Sequence, residues 1–440
     1  MKKYIFGLIL FGAIIFRLLL APVAIHQDLL SQAGWGEYIF EKGPKGFYSE
    51  DVWIYSWPNH PPLTSLYYGY SYKLYSKLSL RLHQSVLLLK KAGINEGKYH
   101  DFVDSFDKIV SPEKAYPLGF LISLKIFPIF FDILIGCLIF YLAKKYDKNP
   151  AKFMLIYYLS PFSWYISSLW GQTDQISCFL TLVSFWLLTS KPLISILLFF
   201  IGASIKPTSV FLLPLFLFII IKSKINFREI LLAGIICLLI NYFIFAPFTD
   251  TNLISFTFNS LLPRIFDRPP RLTTNAYNFW HIFSLNQDWS DQTRFLFVPA
   301  NVWSKLLYVA INCIAFKIVQ IKNKGSMAAA IFIVSFGSWL FMTNMLDRYS
   351  FVGIVAGLIL SIYNYKIFKY WLLLSFIYWL NLFRGWWYPE FLWPLKYLLT
   401  TNNYLAGLFL SIGNVAAYIR IIQLLFENNF WPVQVIKNKR

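Results

Sequence analysis

Just beyond the first apolar run of the chain stands an acid, Asp28, in the stretch AIHQDLLSQAGWGEYIF. A carboxylate at the water-side end of a membrane span is half desolvated. It keeps its proton affinity at or above the free value of about 3.9 and can accept the proton of an attacking hydroxyl. Capping a helix that begins at Leu29 is its competing structural role. The WPNHPPL turn that follows is stiffened by two prolines and offers Asn59 and His60 to hold substrate hydroxyls, with a merely stiff loop as the alternative. Farther on, SSLWGQTDQIS presents Trp170, Gln172 and Asp174, an aromatic and polar cluster suited to a sugar, with helix capping as the alternative for Asp174.

The cations point to phosphate. Lys206 interrupts an apolar run, a costly placement that is explained either by an anionic ligand or by snorkelling to the surface. Arg264, Arg268 and Arg271 crowd into PRIFDRPPRL, and Arg348 follows Asp347 in NMLDRY. A guanidinium fork matches phosphate oxygens, and attraction to anionic headgroups is the competing account. Lys125 and Asp132 lie seven residues apart on one apolar run, where they share a helix face and compensate each other. No cluster has metal-ligand spacing.

Such side chains need a scaffold. Of the 440 residues 57% are hydrophobic and only 14% are charged, and the apolar runs are continuous rather than alternating. In a bilayer only helices and closed barrels satisfy their own backbone, so the spans are helical. The net charge of +19 sits in short loops between apolar runs, where it sets orientation in the membrane and calls for no nucleic acid. Cys137, Cys178, Cys237 and Cys313 lie within apolar runs and read as small buried residues. The first run carries Arg17, lacks a small-x-small cleavage site and reads as a retained helix.

The chain is therefore predicted to be an all-α polytopic membrane protein of about twelve transmembrane helices with two long external loops. Its parts are a first helix over 1–24, an external segment over 25–117, helices two to seven over 118–248, a second external loop over 249–297, helices eight to twelve over 298–426, and a cytoplasmic tail over 427–440. Within the first external segment Leu29–Phe40 and Leu63–Lys90 read as amphipathic helices along the membrane, and Ala92–Lys114 as a solvated cap. The apolar run Leu193–Ile221 reads as a hairpin turning at Lys206-Pro207, because a single span would put the basic KSKINFRE outside. Both termini then lie in the cytoplasm, and the long loops share the external face with the turns at Gly171–Asp174 and Asn344–Tyr349.

Taken in order, these segments resemble the GT-C superfamily of integral-membrane glycosyltransferases, and within it the endoplasmic-reticulum glucosyltransferases that extend lipid-linked oligosaccharide. Asp28 with LLSQAGWGEYI and then WPNHPPLTSLYYGY looks like the family's first-loop aspartate, its helix and its W-x-x-D-Y-P-P-L-T-x-Y turn. NAYNFWHIF is similar to its R…N-F-W segment, NMLDRYSF to its H-E-K motif, and WGQTD to the W-G-Q-x-D of bacterial relatives. Asn59 stands where the family has an aspartate, His60 where it has a tyrosine, and Leu346 where it has a histidine.

The resemblance implies a polyprenyl-phosphate donor of glucose or mannose, a glycan or lipid-linked acceptor, inversion at the anomeric carbon and no required cofactor or metal. Asp28 would be the base. Arg348, Lys206, Arg264, Arg268 and Arg271 would hold the donor phosphate, and Trp57, Asn59, His60, Gln172, Asp174, Asp347, Asn278 and Trp280 would contact sugar or acceptor. Membrane lipids are the surrounding partners. The compact chain without an obvious retention signal favours a prokaryotic plasma membrane over the endoplasmic reticulum. A lipid-linked glycan flippase and an O-antigen-type polymerase or ligase are the rival readings.

Overall fold

The computed structural model describes residues 2–50, 52, 56–91, 116–266, 269–285, 287–400 and 404–427. Arg268, the Ala92–Lys114 cap and the tail beyond Glu427 lie outside the described residues. What is described is almost entirely helical, with one small antiparallel ladder pairing Arg294–Phe295 with Val298–Pro299. Four described helices, Leu118–Lys145, Phe227–Phe248, Lys324–Phe341 and Tyr404–Phe426, are long and apolar enough to cross a membrane, and the chain is a helical membrane protein. Tyr4–Leu20, Asp174–Leu187, Pro192–Ile205, Pro207–Lys222, Leu253–Phe266 and Phe351–Tyr363 are apolar but shorter.

At the centre the Lys324–Phe341 and Phe351–Tyr363 helices are buried almost throughout. Lipid tails are as apolar as leucine, so helices gain little by hiding leucine from them and gain more by packing closely through small residues. Gly353 shows this: a Cβ there would fall 2.8 Å from the backbone of Phe336. The short Asn344–Ser350 turn between these two helices carries Asp347 and Arg348.

Proline chemistry breaks one of the expected spans and makes the expected reversal in another apolar run. The predicted span Phe153–Trp170 is instead a helix over Pro150–Leu159 that stops at Ser160 and restarts at Pro161, since proline has no N–H to continue the ladder. It then widens over Tyr165–Trp170 into π-helical turns and ends at Gly171. The helix Pro192–Ile205 likewise ends at Lys206, and the chain resumes at Pro207. Phe199 and Phe216 stack with ring centroids 4.3 Å apart, whereas seventeen residues of continuous helix would separate them by about 25 Å. The chain folds back at Lys206-Pro207.

A second apolar cluster joins the helices Gln27–Lys42 and Pro62–Lys91 to the start of Leu118–Lys145, through Leu29, Trp35, Tyr68, Phe120 and Leu124. Asp28 belongs to the first of these helices.

The buried charges Arg17, Lys125 and Asp132 are matched, though not as their spacing implied. Asp132 meets Arg17 of the first helix, the Tyr157 hydroxyl and, at 3.1 Å, Ser167 Oγ, while Arg17 also donates to Ser163 Oγ at 3.0 Å. Lys125 donates to the carbonyls of Ala21, Ala24 and Leu169 at 2.7, 2.7 and 2.8 Å, where the first helix and the π-helical segment end. The expected Lys125–Asp132 compensation is thus replaced by two separate clamps, because carbonyls at helix ends lack intrahelical partners and attract a cation. The cysteines also differ: Cys178 is buried, but Cys313 is exposed on the outer side of the Ala300–Ile318 helix.

Candidate active site

Asp28 lies in the first turn of the helix that starts at Gln27, and the cap is His26, whose Nδ1 accepts the Asp28 N–H at 2.9 Å. The capping role is therefore taken, and the Asp28 carboxylate is free to point elsewhere. Its Oδ2 accepts from Gln172 Nε2 at 2.9 Å and from Trp170 Nε1 at 3.2 Å, and Arg348 stands 3.4 Å from the same oxygen. Oδ1 has His26 Nδ1 at 3.6 Å. That approach is not an ion pair, because Nδ1 already spends its lone pair on the Asp28 N–H. Burial also holds the imidazole down to about 4, with Asp28 opposing and Arg348 adding to the shift, so it is neutral at pH 7.

Burial pushes the Asp28 carboxyl up, but the Arg348 guanidinium, helped by His26, which is itself protonated at the low pH where Asp28 titrates, and by His60 and the Trp170 N–H, outweighs it and leaves the group below the ordinary aspartate value. The side chain keeps 37% of its surface open. One oxygen is thus fixed by donors while the other remains available to accept a proton.

Trp170 and Gln172 reach Asp28 because of how their segment ends. Gly171 takes φ of 79°, a left-handed conformation that glycine adopts without strain, and its N–H and that of Gln172 both return to the Ile166 carbonyl. A Cβ on Gly171 would come within 3.0 Å of both Leu29 and Lys125.

Arg348 is held from several sides. Its guanidinium lies 5.3 Å from the centre of the Trp170 ring and 3.5 Å from Asp347, and its carbonyl accepts from the Tyr378 hydroxyl at 2.9 Å. Among the described residues its Nε is buried without a hydrogen-bond partner, as are Gln172 Oε1 and Thr173 Oγ1. Burial raises Asp347 to about 6, with Arg348 opposing and Asp28 adding to the shift.

Beside this group opens a cavity of about 380 Å³ whose wall includes Asn59, His60, Thr173, Lys206, Thr343, Asn344 and Arg348, with Ile205, Phe211, Ile265, Phe266 and Met342 supplying apolar surface. Lys206 does not snorkel: it is buried and paired with Asp174. That pairing also answers the question of Asp174, whose helix has Thr173 as its N-cap. Two cations, Arg348 and Lys206, therefore face three carboxylates, Asp28, Asp174 and Asp347.

The other sequence-designated residues have structural partners. His60 shares a 2.6 Å hydrogen bond with the Tyr68 hydroxyl and meets Trp35 edge-on. Trp57 is covered by the Arg264 guanidinium at 4.3 Å, and Arg264 Nε donates to the Tyr48 carbonyl. Arg271 pairs with Asp288 at 3.1 Å. Asn278 and Trp280 are buried and bind backbone carbonyls at the end of the Lys324–Phe341 helix, Asn278 to Trp339 and Met342, Trp280 to Phe341. With Thr274 N–H on the Met345 carbonyl and Asn344 Oδ1 on the Arg271 N–H, the second loop braces the turn that carries Arg348. Its described arginines are thus not on the cavity wall.

Sequence reasoning missed His26, which orients Asp28, and the threonines of the wall. Arg17 was legible as a charge inside an apolar helix but drew no partner. No protein-family model matches the chain, and no curated protein is similar to it.

Proposed function

We propose that this chain is an integral-membrane glycosyltransferase that moves a hexose, glucose or mannose, from a polyprenyl-phosphate donor to a hydroxyl of a glycan or lipid-linked acceptor, with inversion. The observation that carries the reading is the Asp28 carboxylate, fixed through Oδ2 by Trp170, Gln172 and Arg348, beside a cavity that Arg348 shares. In this reaction the acceptor O–H gives its proton to Asp28 Oδ1 as its oxygen attacks the anomeric carbon. The bond from that carbon to the phosphate oxygen breaks, and the electron pair leaves on the polyprenyl phosphate. Arg348 and Lys206 supply the positive charge that a departing phosphate requires.

The apolar part of the wall suits the first units of the polyprenyl tail, and a tail of that kind is the physical reason to build such an enzyme in a membrane. The reading includes a multi-pass chain of about twelve helices, with the two long loops and Asp28 on the external face and both termini in the cytoplasm. Neither a metal nor a cofactor is needed for the step.

The test offers purified protein in nanodiscs short-chain polyprenyl-phosphate glucose and mannose with a panel of glycan acceptors, wild type beside Asp28→Asn. Transfer by the wild type that collapses in the variant, with donor binding retained, supports the reading; equal transfer in both removes Asp28 from the chemistry.

One observation favours a second reading, a flippase for a lipid-linked glycan: the helix reversal at Lys206-Pro207 puts the buried Lys206–Asp174 pair beside interrupted backbone, as the substrate sites of transporters do. Movement of an intact lipid-linked glycan across proteoliposomes, without transfer, would decide for it.

A further inference from the structure

Some twenty ångströms of the Phe351–Tyr363 helix separate the Arg348 turn from the opposite end of the bundle, at about 1.5 Å per residue. There the segment Asn364–Tyr370 meets the last turns of the Tyr404–Phe426 helix in a pocket of about 610 Å³, walled by Tyr365, Lys366, Lys369, Tyr370, Arg420 and Glu427. The Tyr370 hydroxyl faces both Arg420 and Lys369. Arg420 donates to Gln423 Oε1 at 3.1 Å and has one half-exposed carboxylate near it, Glu427 at 3.5 Å, a weak pairing in water. Among the described residues Lys366 and Lys369 have no carboxylate partner. Three cations and one anion thus converge on one exposed pocket.

Next to it runs a groove of about 800 Å³ between the Pro150–Leu159 and Phe368–Trp386 helices. Leu155, Leu159, Leu372, Phe376 and Trp379 line it, the first four exposed at 39%, 68%, 45% and 54%. A fourth cation, Lys152, joins the two spaces: it lines the groove, donates to the Tyr365 hydroxyl at 3.1 Å and lies over the rings of Tyr365 and Phe368 that wall the pocket.

We infer that the pocket and groove together bind one anionic glycerophospholipid of the surrounding membrane, its phosphate among Lys366, Lys369 and Arg420 and an acyl chain along the groove. A soluble phosphate compound would leave the apolar groove empty, and a zwitterionic lipid would leave the cations uncompensated. Basic pockets between helices at the membrane surface recognise acidic headgroups in this way, each cation contributing about a fivefold gain in affinity.

The experiment is native mass spectrometry of the full chain released from nanodiscs of equal phosphatidylglycerol and phosphatidylcholine. The wild type should retain one phosphatidylglycerol in preference to phosphatidylcholine. Lys366→Gln combined with Lys369→Gln should weaken that retention about thirtyfold and leave phosphatidylcholine unchanged. Ser375→Trp, which fills the groove, should weaken lipid retention while sn-glycerol 1-phosphate still binds the pocket. An unchanged melting temperature of the variants in lipid-free detergent separates lost binding from lost folding. Equal retention of the two lipids by the wild type, or equal phosphatidylglycerol retention by wild type and double variant, overturns the proposal. Competition by free sn-glycerol 1-phosphate as strong as by the lipid would make the ligand a soluble phosphate and overturn it too.

Discussion

Asp28 is a weak base by its resting proton affinity and a well-placed one by its geometry. Its three Oδ2 partners keep it ionised, so the acid is ready without any deprotonation step. Asp28→Asn keeps those partners and cannot take a proton; transfer should fall between about a hundredfold and ten-thousandfold in turnover, with donor affinity retained by filter binding. Asp347 behaves oppositely. Raised to about 6, it releases its proton beside Arg348 as pH climbs through that value, adding a negative charge where the proposed donor phosphate would bind. Donor affinity should therefore drop between about pH 5 and 7 in the wild type and stay flat in Asp347→Asn, as isothermal titration would read. The same shift favours folding below the ordinary value of 3.8 and loses that contribution as pH rises through about 6, whereas Asp28 contributes in the reverse direction.

The π-helical segment Tyr165–Trp170 does for the site what a regular helix would not. It delivers an indole and an amide to one carboxylate oxygen through a glycine in the left-handed region. Gly171→Ala adds about 1–2 kcal/mol of backbone strain and a Cβ close to Leu29 and Lys125. The resulting shift of Gln172 should cost about a hundredfold in turnover with a smaller change in KM. The segment is anchored from below by Ser163 and Ser167, which bind the Arg17–Asp132 pair. Removing one partner strands a buried charge. Arg17→Met should lower stability by about 3–5 kcal/mol, and adding Asp132→Leu should restore most of it, measured by thermal unfolding in detergent.

For the molecule as a whole, the two polar ends are distinct. One holds Asp28, Arg348 and the cavity; the other holds Lys152, Lys366, Lys369 and Arg420. In a chain freed of its own cysteines, a membrane-impermeant maleimide should label Ser49→Cys in intact cells and Lys148→Cys only after permeabilisation. The reverse pattern would invert the proposed orientation.

Some of this was legible in the residues alone, because it depends on local chemistry. Hydropathy marks a helical membrane protein, amphipathic patterning marks the helices now seen at Gln27–Lys42 and Pro62–Lys91, and a proline after a charged residue marks the reversal at Lys206. Gly171 and the candidate residues Asp28, Gln172 and Arg348 were also visible as types. Their meeting was not: Gln172 lies 144 positions from Asp28, and nothing local says which helix end will face which. The same reason separates Lys125 from Asp132. Spacing places both on one face of one helix, but the neighbour packed against each level of that face selects the partner, carbonyl ends for the lysine and Arg17 for the aspartate. Likewise NAYNFW stands out through its resemblance to a family segment, and burial makes it the brace of the turn that carries Arg348.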